Sequence, residues 1–214
     1  YARGPVTWNH FDGVYSRVSN PYSDYSYAFL TTDMGKGKRI QYAENQSGTT
    51  AVTVDSFLDY QLVEEDLYNL NNMGATWYFD KYDAMTSMSY SFNFPNIIES
   101  KKCNVRVDVA ARNTSSQSSF EVKVNGNFVN SIKINKVSDN YANIGSTGNV
   151  KFYSDRDDVN VSLNFVKNAS SAAGWLDYIS INAWRELVFT GNAMSFRNPE
   201  CFDESKTYRY EIRN

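Results

Sequence analysis

The chain has 214 residues, of which 42% are hydrophobic and 15% aromatic, with a mean hydropathy of -0.53. This composition is too apolar for a disordered segment, and no apolar run is long enough for a membrane-spanning helix, so no direct membrane insertion is expected. With 21 basic and 24 acidic residues, the net charge of -3 provides no electrostatic footprint for nucleic acid. The chain begins at Tyr1 without an initiator Met, and we expect it to be excised from a larger multidomain protein.

The N-terminal region is predicted to contain short strands. Val6 to Trp8 is strand-like and follows a turn signal. Tyr22 to Thr32 is dense in aromatic and β-branched residues and leads through a glycine-containing loop into Lys38 to Ala43, which predicts a strand pair. Ala51 to Tyr60 alternates weakly and predicts one further strand.

Leu62 to Met73 is the one helical candidate in the sequence. Asp66 can cap its start, apolar residues recur at three-residue steps, and Gly74 suits a C-terminal cap. The pattern therefore predicts one short helix.

The second half of the chain has the two-residue alternation of half-buried strands. Met88 to Pro95 places its large apolar side chains on one face and Ser or Asn on the other, and Asn125-Gly126 predicts a two-residue hairpin turn. The other predicted strands are Asn104 to Arg112, Phe120 to Val124, Phe128 to Ile134, Val150 to Tyr153, Val159 to Val166, Leu187 to Phe189, Met194 to Phe196 and Tyr208 to Ile212.

Gly174 to Arg185 is predicted to be a central strand, because its large strand-favouring residues fall on both faces. Asp177 interrupts this apolar run and needs hydrogen-bond donors if the strand is buried. Many short strands with hardly any helix predict an all-β fold, a jelly-roll or galactose-binding-like β-sandwich with at most one or two short helices. We expect residues 1–214 to form a single domain.

The residue types that carry chemistry are sparse and scattered. His10 is the only histidine and lies in a polar turn, so it is assigned no catalytic role. Cys103 and Cys201 lack metal-type spacing and are either two free thiols or one disulfide. The sequence thus predicts no catalytic, cofactor-binding or metal-binding residue and no cofactor, and it leaves the binding residues unknown.

Two acidic clusters have plain structural explanations. Asp155, Asp157 and Asp158 have the spacing of a loose calcium loop, but Arg156 lies among them and a solvated hairpin tip is the favoured interpretation. Glu64, Glu65 and Asp66 could be imagined as a carboxylate pair for glycoside chemistry, but acidic residues at a helix start are explained by the helix dipole.

The aromatic residues divide into a core group and a candidate binding group. The core interpretation is favoured for side chains inside well-formed strand patterns, namely Phe92, Phe94, Tyr178 and Trp184. An exposed, sugar-stacking role is open for residues that crowd together outside such patterns, namely Tyr22, Tyr25, Tyr27, Trp77 and Tyr78. A carbohydrate-binding module is therefore the alternative function.

A series of short motifs, in order along nearly the whole chain, resembles a known family. They are Gly4-Pro5 with Trp8, Tyr22 to Thr32, Gly37 to Ile40, Glu65-Asp66 with Asn69-Leu70 and Gly74, Trp77-Tyr78, Phe92 to Pro95, Ala110 to Arg112, Asn125-Gly126, Gly174 to Ile179 and Met194 to Arg197. The chain resembles the PorU-type sortases of the bacterial type IX secretion system, which are gingipain-like cysteine endopeptidases of Bacteroidetes.

The resemblance implies a β-sandwich that precedes the peptidase domain, in an exported protein associated with the cell surface or outer membrane. The catalytic cysteine and histidine of the family lie beyond this region, so neither Cys103 nor Cys201 takes a catalytic role. The implied partners are the downstream catalytic domain of the same chain and outer-membrane secretion components. We expect this fragment to be no enzyme by itself.

Overall fold

The computed structural model describes residues 2–3, 6–20, 25–26, 28–37, 39–42, 51–70, 76–138 and 141–214. These residues contain no helix, and their regular secondary structure consists of β-strands. The strands are β1 Ala2–Arg3, β2 Thr7–Phe11, β3 Val14–Val18, β4 Tyr25–Ser26, β5 Ala51–Val54, β6 Ser56–Glu64, β7 Lys81–Tyr82, β8 Ser87–Asn93, β9 Cys103–Arg112, β10 Ser118–Val124, β11 Asn127–Ile134, β12 Asn143–Ser146, β13 Val150–Phe152, β14 Asp158–Val166, β15 Ala173–Glu186 and β16 Thr207–Tyr210.

The chain divides into two compact units. The first comprises Tyr1–Val54 with Pro199–Glu211, and the second comprises Asp55–Asn198 with Ile212–Asn214. In the first unit β2 pairs with β3 in a hairpin, β1 pairs with β4, and β16 runs parallel to β5. The extent of the domain as residues 1–214 stays a prediction.

The second unit is a sandwich of two sheets, which confirms the predicted fold class. The small sheet has the strand order β11-β10-β14-β8, and the large sheet has the order β12-β9-β15-β6, with β13 also on β9 and β7 on β15. All of these pairs are antiparallel. The predicted central strand is β15, which pairs with β9 on one side and with β6 on the other.

The inner faces of the two sheets form one apolar core. Val107 and Ile179 of the large sheet and Phe120 and Phe165 of the small sheet are fully buried in it. The small sheet packs closely against Gly174 of the large sheet, where an added Cβ atom would lie 2.5 Å from Cζ of Phe120. A side chain at this position has no room, so the glycine is needed for packing.

A β-bulge interrupts β15 at Asp177. Leu176 lies opposite Val109 and Tyr178 lies opposite Asp108, so Asp177 is the extra residue between two paired positions. The inward-facing residues of β15 therefore have even numbers before the bulge and odd numbers after it. This shift explains why the large residues of the strand do not follow one alternation.

The predicted helix over Leu62 to Met73 is wrong for the described part of that range. Residues 62–64 belong to β6 and pair with β15, and the chain then continues without helix to Leu70. The three-residue spacing of apolar side chains favours a helix locally, but the long-range pairing of a nine-residue strand with the centre of the sheet outweighs it. Residues 71–75, which include the predicted cap Gly74, lie outside the described residues.

The strand pair predicted between Tyr22 to Thr32 and Lys38 to Ala43 is also wrong over its described residues. Only β4 is a strand in the first range, and residues 28–37 and 39–42 form none. Phe29, Leu30 and Ile40 are almost fully exposed, so β-propensity without a buried face did not suffice here.

Two further predicted strands are absent. Leu187 to Phe189 contributes one isolated bridge, and Met194 to Phe196 is irregular. The hairpin at Asn125-Gly126 is confirmed between β10 and β11, with φ angles of 50° and 83°. His10 lies within β2 rather than in a turn, because the turn is formed by Asp12 and Gly13.

Candidate binding surface

The outer face of the large sheet brings together charged and aromatic side chains from β6, β9 and β15. Within β9 the valines point to the core, so Arg106 and Asp108 point outward, and Tyr178 lies directly opposite Asp108 on β15. Sequence reasoning missed Arg106 and Asp108. The signal was present, because the two charges occupy the polar positions of an otherwise apolar alternation.

Asp108 is the centre of a hydrogen-bonded network on this face. Arg106 donates to it in a bidentate arrangement, with Nε 3.1 Å from Oδ1 and Nη2 2.8 Å from Oδ2. The Ser146 hydroxyl also donates to Oδ1. Burial, with the nearby Asp108 carboxylate, raises the pKa of Tyr178 above its usual value. The carboxylate of Asp108 also raises the pKa of Arg106, so the network favours the charged form of Arg106 and the protonated form of Tyr178.

Asp177 behaves differently from Asp108. No described residue donates a hydrogen bond to its carboxylate, contrary to the expectation that the strand would supply donors. The pKa of Asp177 is raised to about 7, mainly by burial and further by the charges of Asp108, Glu64 and Asp66, while Arg106 acts to lower it. These four carboxylates form the acidic patch, in which Asp177 can hold a proton near neutral pH.

Glu64 and Asp66 belong to the acidic patch and not to the start of a helix. Glu64 ends β6 and Asp66 lies in the segment that follows, so no helix start explains either charge. Both lie near enough to raise the pKa of Asp177, and Asp177 in turn contributes to the raised pKa of Tyr78, for which burial is the larger cause. The third residue of the predicted cluster, Glu65, is exposed.

Next to the acidic patch lies an open cleft of about 500 Å³, which we call the aromatic cleft. Its floor is the buried Trp175, and Tyr68 and Trp77 at its sides are 43% and 42% exposed. Two backbone hydrogen bonds of 2.8 Å between Tyr68 and Tyr78 hold these sides together. The complete lining comprises Leu67, Tyr68, Asn69, Leu70, Trp77, Lys81, Arg112 and Trp175.

Two cations border the aromatic cleft. The Arg112 guanidinium lies over the Trp175 ring, 5.7 Å from its centroid, and Lys81 forms a 2.9 Å ion pair with Asp83. Arg112 makes no hydrogen bond to a described residue, so its donors are available to a ligand. The cleft can therefore accept a ligand with an apolar face and an acceptor group.

A second, more polar cavity of about 340 Å³ lies at the loop end of the sandwich, where the Asn125 turn meets the segment from Tyr153 to Arg156. The three aspartates with the spacing of a calcium loop have separate partners. Asp155 pairs with Arg156 at 3.2 Å, Asp157 accepts from the Ile97 amide, and Asp158 accepts from Asn93 Nδ2. Their carboxylates therefore do not converge on one point.

The described part of the chain holds no group of three or more His, Cys, Asp or Glu side chains placed to bind a metal ion. Within the same residues, no helix is both long and apolar enough to cross a membrane.

The remaining residues singled out in the sequence are dispersed. The His10 ring packs on Tyr15 and Phe202, with centroids 5.1 and 6.2 Å away. Both cysteines are free thiols. Cys103 is buried, and burial raises its pKa to about 11, whereas Cys201 is half-buried and hydrogen-bonded to Tyr210.

The aromatic residues of the two predicted groups are also separated by the structure. Phe92 and Phe94 are buried in the core, as predicted, while Tyr178 and Trp184 are half-buried on the outer face of the large sheet. Of the candidate binding group, Tyr25 and Trp77 are exposed and Tyr78 is buried. Tyr22 and Tyr27 lie outside the described residues.

The outer face of the small sheet is uniform by comparison. Short polar side chains of β8 and β14 form a ladder of hydrogen bonds between the two strands. Its rungs are Ser87 to Asn164 at 2.8 Å, Ser89 to Ser162 at 3.0 Å, Asn160 to Ser91 at 3.3 Å and Asn93 to Asp158 at 2.6 Å. The described rings of these two strands, Tyr90, Phe92 and Phe165, are buried rather than exposed on this face.

Comparison with known proteins finds a similar fold among solved structures but no similar sequence family. No protein-family model matches this sequence, and no curated protein is significantly similar to it. The crystal structure of dimeric latent PorU from Porphyromonas gingivalis matches with a TM-score of 0.72 and 18% identity, over 98% of this chain and 20% of that one.

Carbohydrate-binding modules also match, but more remotely. The CBM35 module of Cellvibrio japonicus Abf62 has a TM-score of 0.36 and 10% identity, over 67% of this chain and 98% of that one. A CBM36 module in complex with calcium and xylotriose has a TM-score of 0.32 and 17% identity, over 44% of this chain and 71% of that one. The chain spans about a fifth of the PorU structure. It therefore has a PorU-like, all-β fold.

Proposed function

We propose that this chain is a non-catalytic accessory β-sandwich domain of a PorU-like cysteine endopeptidase, exported to the cell surface by a bacterium with type IX secretion. The observation that carries the proposal is the match to PorU over 98% of the chain, within about a fifth of the larger protein. The domain would act by packing, either against the downstream peptidase domain or against secretion components of the outer membrane.

The surroundings of the nucleophile candidates support a non-catalytic role. A cysteine protease needs an accessible thiolate and a base within hydrogen-bonding distance of it. Cys103 is buried and its raised pKa of about 11 keeps it a thiol at neutral pH. The single histidine, His10, packs against Tyr15 and Phe202.

The outer face of the large sheet is the surface best suited to docking. It combines exposed rings, an available guanidinium at Arg112 and the acidic patch, and such mixtures of aromatic and charged groups are typical of protein interfaces. In this proposal Trp77 and Tyr68 are the anchors for the partner surface.

The test uses the parent protein with paired variants. Trp77→Ser in the aromatic cleft is expected to reduce removal of the sorting signal from secreted cargo, or to lower the thermal stability of the whole protein. Phe128→Ser is the matched control, since Phe128 is an exposed ring on β11 of the other sheet. Equal behaviour of the two variants would contradict docking through the cleft.

The absence of catalysis is tested on the chain itself. We expect no hydrolysis of unstructured peptides by the purified chain. Hydrolysis that is lost in Cys103→Ser, Cys201→Ser or His10→Ala would overturn the accessory role.

A carbohydrate-binding module is the second candidate, and the half-exposed Tyr68 and Trp77 at an open cleft favour it. Calorimetry with a panel of soluble glycans at millimolar concentration tests it, with Trp77→Ala as the comparison. Heat of binding that disappears in the variant would support this function, and no heat from any glycan would argue against it.

A further inference from the structure

The outermost strand of the small sheet, β8, has one unpaired edge. In antiparallel strands the N–H and C=O groups of one residue point to the same side, and successive residues alternate sides. The Phe94 amide donates to Asp157 and the Thr86 carbonyl accepts from Phe165, so the even-numbered residues of this strand point toward β14. The odd-numbered residues must point to the free edge.

One contact confirms that the odd-numbered residues point away from β14, and it occupies one end of the free edge. The Gln61 side-chain amide donates to the Asn93 carbonyl at 2.6 Å, so that carbonyl lies on the side away from β14 and has a partner. The backbone groups of Ser87, Ser89 and Ser91 lie along the rest of the edge. No described backbone group is hydrogen-bonded to them there.

The β8 edge lacks the features that normally protect an edge strand. Native proteins use lysines, prolines, bulges or very short strands to prevent pairing with another chain. β8 is seven residues long, has the sequence SMSYSFN, contains no charge or proline, and pairs with β14 without a register shift. This uncharged edge without a bulge is therefore a template for an added strand.

The other edge strands of the sandwich differ in this respect. β11 carries Lys133 and lies opposite a bulge at Val122, and β12 is only four residues long. β6 carries Asp59 and Glu64, and its Leu58 amide already donates to the Arg197 carbonyl. β8 is thus the long edge of the described sandwich without such protection.

We propose that β8 pairs antiparallel with β8 of a second copy of this chain, about a twofold axis at Ser89. In this register Ser89 faces Ser89 of the other copy and Ser87 faces Ser91, and each such pair exchanges two backbone hydrogen bonds. The Gln61 to Asn93 contact is left intact. The two small sheets then join into one continuous sheet.

The side chains fit a second copy of this strand. Ser89 already accepts a hydroxyl neighbour at 3.0 Å on its other side, from Ser162, and the new pair places two serines opposite each other in the same way. On the inner face Met88 of one copy meets Tyr90 of the other, which pairs a half-buried with a buried apolar side chain. No like charges meet along the interface.

The size of the interface determines how tightly the two copies are expected to bind. A seven-residue strand is about 23 Å long, so its pairing buries less than the about 1,000 Å² typical of stable complexes. We expect a dimer with a dissociation constant between about 1 µM and about 1 mM. Sedimentation velocity from about 1 µM to about 1 mM should show the transition from monomer to dimer.

Two lysine variants test the position of the interface. Ser89→Lys and Ser162→Lys both remove the Ser89 to Ser162 hydrogen bond and add one charge to the same face. Only Ser89→Lys places two lysines opposite each other across the twofold axis, so it should raise the dissociation constant by at least about tenfold. Ser162→Lys should leave it within about twofold of the original.

Hydrogen exchange at each amide provides an independent readout on the unaltered chain. The amides of Ser87, Ser89 and Ser91 should gain protection as the concentration rises, while that of Tyr90, which faces β14, should not change. A chain that stays monomeric throughout, a dimer equally sensitive to both lysine variants, or protection that appears elsewhere would each overturn the proposal. The outcome does not depend on any peptidase activity of the parent protein.

Discussion

The two sheets of the sandwich share one core but have very different outer faces. The small sheet presents a ladder of Ser and Asn side chains whose partners lie on the neighbouring strand. The large sheet presents a bidentate ion pair, a carboxylate without a donor among the described residues, and rings that line a cleft. The inner faces have to meet the same packing requirement, whereas the outer faces are free to specialise.

This difference indicates where a binding function belongs. Neutral hydroxyl and amide groups that satisfy one another offer little to a ligand, except at the open edge of β8. The large sheet keeps an available guanidinium at Arg112 and a protonatable carboxyl at Asp177 beside exposed rings. Three predictions test how far the two sheets differ and what they share.

The largest effect is expected at the shared core. Gly174→Val would place a side chain against Phe120 and Phe165, since even a Cβ atom would lie 2.5 Å from the first ring. We expect the free energy of unfolding to fall by about 3 kcal/mol, measured by urea denaturation. Gly37→Ala is the control, because Gly37 has no atom within 4 Å of that position and no unusual backbone angle. A loss below about 1 kcal/mol in Gly174→Val would show that the rings can move aside.

The second prediction compares the outer faces directly. Asp108→Ala removes the acceptor of the Arg106 guanidinium and of the Ser146 hydroxyl, and should cost about 2 kcal/mol of stability. Ser162→Ala on the small sheet removes neutral hydrogen bonds and should cost about 1 kcal/mol or less. Equal losses would mean that the ion pair adds nothing beyond ordinary ladder bonds.

The third prediction concerns the pH dependence of stability. The pKa of Asp177 is raised to about 7 by burial and by its acidic neighbours, whereas an aspartate in an unfolded chain titrates near about 3.9. Between these values the folded chain holds the proton and the unfolded chain does not. The free energy of unfolding should therefore fall as the pH rises from about 4 to about 7.

Asp177→Asn should flatten that fall and stabilise the protein above about pH 7, which thermal denaturation across the pH range would measure. Ser162→Ala, which changes no titrating group, should keep the original slope. The same slope in Asp177→Asn and in the unaltered chain would show that other groups cause it.

The fold could largely be predicted from the sequence where burial imposes a period on the chain. Met88 to Asn93 alternates without exception because one face meets the core and the other meets solvent. The turn at Asn125-Gly126 was also predictable, since positive φ angles at both positions require such residues. Leu62 to Glu64 was mistaken for helix because its partner, β15, lies more than 100 residues away.

The candidate surface was much harder to predict. Glu64, Asp66, Asp108 and Asp177 form one acidic patch only because β6 and β9 flank β15 in a particular register. The positions of these four residues along the chain do not indicate this register. Trp77 was correctly singled out as a candidate for exposure, but the cleft it lines depends on the bridge between Tyr68 and Tyr78, which no local pattern indicates.

The bulge at Asp177 makes the length of β15 adjustable at one position. Asp177 is the extra residue between the pairs of Leu176 with Val109 and of Tyr178 with Asp108, so its deletion would leave both pairs in register and every other side chain of the strand on its present face. Deletion of a paired residue such as Ser180 would instead exchange the inward and outward positions on one side of the deletion. Shortening β15 by one residue should thus be tolerated at position 177 and disrupt the sandwich at the paired positions.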